Sequence, residues 1–174
     1  MNLLLPLLLS AIAFFVVYLI ISTKACLKQT SQLPNSISMT FYNVPVWLFV
    51  SFLLFSCGTI SVINLTLKPD SFILSNVGAW LLVGVGFMSN IKNPLVKKFH
   101  VFGALFGFAI LLIGFWVDYN MCYITIAAGV IMAIAAIALR KKQFVIWVLE
   151  IIAITCMFVG YSILVLTPQV GQPL

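Results

Sequence analysis

Acidic side chains are scarce: the 174 residues include three Asp or Glu against nine Lys or Arg, a single His, and a hydrophobic fraction of 64%. Charged residues make up 7%, whereas soluble domains carry roughly 25%. There is too little polar surface here to cover a water-soluble globule. One histidine, three acids and four cysteines without a Cys-x-x-Cys pair do not make the three or four converging ligands that a zinc site uses. No metal or cofactor is expected. Cys26, Cys57, Cys122 and Cys156 read as small hydrophobes. No polar stretch is long enough to fold as a separate catalytic or regulatory module, so residues 1–174 read as one domain.

What the chain does have is apolar length. Runs over residues 3–23, 44–66, 72–91, 99–117, 121–139 and 144–166 each approach the roughly 20 residues needed to cross a bilayer. They are continuous rather than alternating, which excludes barrel strands, and in hydrocarbon a continuous segment satisfies its own backbone only as a helix. The expected fold is all-α, a polytopic bundle of six transmembrane helices. The first run lacks a basic stretch before it and exceeds the apolar region of a signal peptide, about 7–15 residues, so it is expected to remain as a helix.

The basic residues occupy alternate gaps. Lys24 and Lys28 follow the first run, Lys92, Lys97 and Lys98 the third, and Arg140, Lys141 and Lys142 the fifth, while the second gap holds only Lys68. Short cytoplasmic loops retain Lys and Arg, so both termini are expected on the non-cytoplasmic side. Integration into a membrane is expected. The net charge of +6 then reflects contact with anionic headgroups, not nucleic acid. Membrane lipids are the expected partners, with a second membrane protein or another copy of the chain as further candidates.

Gly103, Gly107 and Gly114 share one side of the fourth helix. Small faces let helix backbones approach closely in lipid, and the fifth run is rich in alanine (Ala127, Ala128, Ala133, Ala135, Ala136). The fourth helix is therefore expected to pack on the fifth, or on a second copy.

Polar residues gather at the cytoplasmic ends: Ser36, Ser38, Thr40 and Tyr42 before the second helix, Asn90 after the third, His100 opening the fourth and Glu150 inside the sixth. An acid within a span costs about 2.5–3.5 kcal/mol on insertion scales and is normally compensated. Glu150 needs a partner, and His100, the nearby cations and the Ser38 and Tyr42 hydroxyls are the candidates, the neutral acid being the alternative. At the other end Asn64, Lys68, Asp70, Asn76, Asp118 and Asn120 form a smaller polar set, in which Lys68 and Asp70 read as a solvated turn and Asp118-Tyr119-Asn120 as the turn between the fourth and fifth helices. Three functions fit: a non-enzymatic bundle that binds lipid or protein, a small proton-coupled transporter using Glu150 with His100, and a membrane-embedded lipid hydrolase using Ser38, His100 and Glu150. The hydrolase requires a nucleophile, a base and an orienting group within hydrogen-bond reach.

The element Ser36-Ile37-Ser38-Met39-Thr40-Phe41-Tyr42, with Trp47-Leu48-Phe49, His100 before Gly103-Ala104, and Trp147 with Glu150, resembles a family of short six-helix integral membrane proteins of bacteria and their phages. Phe41 stands where that family more often has Tyr. The resemblance implies membrane location and marks these residues, without implying a reaction. A more distant similarity is to the CREST group of membrane hydrolases, which pair a serine and an acid with several histidines; this chain has one.

Overall fold

The structure is a computed structural model that describes residues 3–69, 73–87 and 94–167, apart from the side chains of 94–97 and 101. Among the described residues it contains six α-helices: α1 Leu4–Thr30, α2 Val46–Leu67, α3 Leu74–Phe87, α4 Pro94–Tyr119, α5 Cys122–Leu139 and α6 Val145–Leu166. A 3-10 turn, Ser38–Tyr42, lies in the connection between α1 and α2. All helices except α3 are long and apolar enough to cross a membrane.

The helix α3 has 14 described residues, about 21 Å at 1.5 Å per residue against a hydrocarbon thickness of about 30 Å. The expected third span, 72–91, is thus a helix over its middle, and its two ends lie outside the described residues. The helix α1, in contrast, continues past its expected end at 23. Nothing before Pro34 breaks it, and it stops where Ser31 adopts φ 56° and donates its N–H to Leu27 O. Lys24 and Lys28 therefore stand on the exposed face of its last turns rather than in a loop.

Each helix packs on its successor, and α6 closes the ring on α1. Neighbours run antiparallel: Phe14 meets Phe55, Phe15 stacks on Phe52, and Tyr18 lies over Phe49 and Phe52, the Tyr18 and Phe52 rings being 4.3 Å apart and nearly parallel. Phe15 also touches Phe158 of α6, and Phe115 of α4 reaches across the ring to Tyr161 at 4.9 Å. These aromatic contacts, each worth about 0.5–1.5 kcal/mol beyond burial, form the centre of the bundle. Outward faces carry large exposed apolar side chains such as Phe102, Phe106, Trp116, Ile126 and Ile137.

The glycine face of α4 meets α3, which corrects the expectation that it packs on α5 or a second copy. A Cβ on Gly114 would sit 2.6–2.8 Å from Ser75, one on Gly107 would strike Leu82, and one on Gly103 would strike Val85. From the other side, a Cβ on Gly78 of α3 would lie 2.6 Å from Leu111 N and 2.8 Å from Gly107 O. The reason is that α3 brings its own small residues, Ser75 and Gly78, into register with those of α4, so two backbones mesh. On α5 only Ile124 and Ala128 are buried, and Gly129 has nothing within 4 Å of a Cβ position.

These contacts separate the glycines by measurement. Gly78→Ala must displace backbone and is expected to destabilise by about 1–3 kcal/mol, while Gly129→Ala gains up to about 1 kcal/mol from helix propensity. Thermal unfolding in detergent checks both; equal effects would contradict the α3–α4 contact.

Candidate functional site

The connection from Ser31 to Pro45 folds under its own hydroxyls. The Met39 N–H donates to Ser36 Oγ at 3.2 Å, Ser36 and Ser38 hydroxyls lie 2.9 Å apart, and Thr40 Oγ1 donates to Ile37 O at 2.5 Å. Such side-chain to backbone bonds are how Ser and Thr start short helical turns. Fully buried Tyr18 of α1 shares a short hydrogen bond with Thr40, also fully buried. The segment is tied to α6 twice: Trp147 N–H donates to Asn35 O at 3.1 Å, and the Ile37 N–H donates to Glu150 Oε2 at 2.5 Å. The partner that Glu150 requires is therefore a backbone amide.

Of the residues singled out in the sequence, Ser36, Ser38, Thr40 and Glu150 come together around this turn. Tyr42 is 46% exposed, with its ring edge against Phe41 at 5.5 Å. Asn90 lies outside the described residues. The proposed pairing of His100 with Glu150 is not what the structure has. His100 Nδ1 lies 2.9 Å from Val85 O of α3. A carbonyl only accepts, which places a ring proton on Nδ1 and, in the neutral imidazole, leaves Nε2 as an acceptor.

His100 and Glu150 nevertheless share a cavity of about 70 Å³ between α2, α3, α4 and α6, large enough for several waters or a slender chain. Ser38 joins them at one end, and the walls are Phe49, Phe52, Ile60, Leu111, Met157 and similar apolar residues. On α2 the lining runs from Phe49 to Ile60, about 16 Å of helix. Ser56 also lines it, is 5% exposed and has no hydrogen-bond partner. Elsewhere Ser10, Thr66 and Ser162 donate back to the carbonyl four residues earlier at 2.7–2.8 Å; Ser56 does not. The hydroxyl, imidazole and carboxylate at the polar end are each bonded elsewhere, with no nucleophile–base hydrogen bond among them, so the hydrolase geometry is not present in the described residues. Among those residues no group of three His, Cys, Asp or Glu could hold a metal ion.

The opposite end holds a network around Asn64 that includes Lys68 and Asp118, both read as turn residues from the sequence. Asn64 is fully buried. Its Nδ2 donates to Ser75 Oγ at 3.1 Å and Asn76 Oδ1 at 2.8 Å, and its Oδ1 accepts from Tyr119 OH at 2.5 Å and Tyr161 OH at 3.0 Å. Every hydrogen-bonding position of the amide is thus used. Asp118, at the end of α4, accepts from Leu74 N–H at 3.0 Å, Ser75 N–H at 2.8 Å and Ser75 Oγ at 2.7 Å. It caps α3 from another helix, supplying negative charge where the dipole and unpaired N–H groups favour it. Lys68 donates to Asp118 O and lies 5.2 Å from the Tyr119 ring centre. The overlooked signal was Asp118 itself, one of only three acids, placed at a helix end.

Compared with family models, curated proteins and solved structures, the chain matches none of them.

Three substitutions test the carboxylates. Glu150→Gln keeps an oxygen for Ile37 N–H and is expected to change stability by less than about 1 kcal/mol, whereas Glu150→Ala orphans a backbone donor at about 1–3 kcal/mol. Asp118→Ala removes three accepted bonds and is expected to cost at least about 2 kcal/mol. Denaturation in detergent that ranks Glu150→Gln with Glu150→Ala, or leaves Asp118→Ala at wild-type stability, would refute these assignments.

Proposed function

We propose that this chain is an integral protein of the bacterial cytoplasmic membrane, crossing six times with both termini outside, and that it binds the apolar chain of a lipid without catalysing a reaction. Exposed Lys24, Lys28, Lys98 and Arg140 to Lys142 stand at the bundle end that also carries the Ser31–Pro45 connection, which supports placing that end at the cytoplasmic surface. The resemblance of residues 36–42 to short six-helix membrane proteins of bacteria and phages supports the same location.

The observation that carries the binding reading is the cavity: mostly apolar walls, with Ser38, His100 and Glu150 among the residues that line it. Binding sites for small apolar molecules have this composition, apolar walls with a few polar groups that fix orientation. Such a lining suits one unbranched chain, with its polar head at Glu150 and its tail toward Ile60 and Leu111. Ala104, on the wall contributed by α4, offers a way to close it. Native mass spectrometry of protein released from nanodiscs is expected to show a retained lipid that Ala104→Phe lowers at least tenfold while the protein stays folded. Equal retention by the folded variant would overturn the reading.

A second reading, proton-coupled transport, is favoured by one observation: Glu150 and His100 face the same cavity without bonding each other. It requires a substrate-dependent proton flux in vesicles that Glu150→Gln abolishes; flux that survives the substitution excludes it.

A further inference from the structure

The polar end of the cavity is asymmetric in hydrogen-bond chemistry. Val85 O claims the Nδ1 proton of His100, so the remaining ring nitrogen presents a lone pair. Ile37 N–H occupies one oxygen of Glu150, and a carboxylate has a second oxygen that only accepts. Ser38 Oγ is engaged with Ser36 Oγ. Among the described residues that line the cavity, Glu150 is the one Asp, Glu, Lys or Arg. Lys98, Arg140, Lys141 and Lys142 are exposed on the outer surface, where salt screens them over about 8–10 Å. With Glu150 ionised, the cavity offers acceptors and a negative charge beside apolar walls.

From this geometry we infer that the preferred occupant is a cationic single-chain amphiphile, whose ammonium group donates to Glu150 and His100 while its chain fills the space between Phe49 and Ile60. The inference rests on the lipid-binding reading and adds the charge of the headgroup. An ammonium supplies three donors to the acceptors of Glu150 and His100, and its bond to a carboxylate is of the short, charge-assisted kind. An anionic head brings further acceptors beside Glu150 and is disfavoured. A hydroxyl head can donate once and falls between the two.

Three amphiphiles with the same six-carbon chain, a length suited to a cavity of about 70 Å³, separate these cases: hexylamine, hexanol and hexanoate. Binding to the full chain in zwitterionic nanodiscs is measured by displacement of a fluorescent alkyl probe and counted as the part that Ala104→Phe removes, which discounts simple partition into lipid. Hexylamine is expected to bind at least tenfold more tightly than hexanoate. Glu150→Gln, which keeps the oxygen that holds Ile37 N–H, is expected to weaken hexylamine at least tenfold and hexanol less than twofold. Hexanoate binding as tightly as hexylamine, or hexylamine unaffected by Glu150→Gln, would overturn the headgroup assignment and leave lipid binding standing. Loss of the Ala104-sensitive part for all three compounds would overturn both.

Discussion

Two carboxylates that accept hydrogen bonds from backbone N–H groups hold the short segments of this protein in place. Asp118 takes the first amides of α3, and Glu150 takes the amide that opens the 3-10 turn. Long helices satisfy their own backbone, but every helix start leaves N–H groups without an internal partner, and in an apolar setting each unpaired group costs several kcal/mol. Among the described residues, neither α3 nor the turn has a side-chain cap of its own that reaches these amides. The acids come from α4 and α6, distant in sequence, so satisfying the local need also fixes the tertiary arrangement.

The consequences run inward from the two ends. With its start held by Asp118 and Val85 O bonded by His100, α3 lies along α4 closely enough that a side chain at Gly78 or Gly114 would strike backbone. The cavity lies between α2, α3, α4 and α6. Glu150 anchors the connection near one end of it, which is how a mostly apolar cavity acquires a polar rim. The Asn64 network closes the opposite end with bonds satisfied within the protein. One end is saturated and the other retains spare acceptors; only the latter has the character of a binding site.

Much of the architecture was legible in the chain because membrane segments are written in composition over about 20 residues, and the six runs correspond to the six described helices. Glu150 stood out for the same reason, as an acid where acids are costly. What was not legible was pairing. A glycine face announces that something approaches without saying what, and α5, rich in alanine, looked a better partner than α3 until the Ser75 and Gly78 register was visible. Asp118 was read as a turn because its neighbours Tyr119 and Asn120 suggest one, while its actual partners lie 43 and 44 residues earlier. His100 was matched to Glu150 by chemistry, yet a backbone carbonyl of α3, Val85 O, which carries no sequence mark, engages it.

The central claim, that Glu150 and Asp118 satisfy particular backbone amides, is open to direct measurement by residue-resolved hydrogen exchange of the protein in detergent micelles or nanodiscs. The account predicts that the Ile37, Leu74 and Ser75 amides are protected to a degree comparable with amides in the middle of α2 and α6. Exchange of these three at the rate of exposed loop amides, with the helices around them still protected, would contradict it.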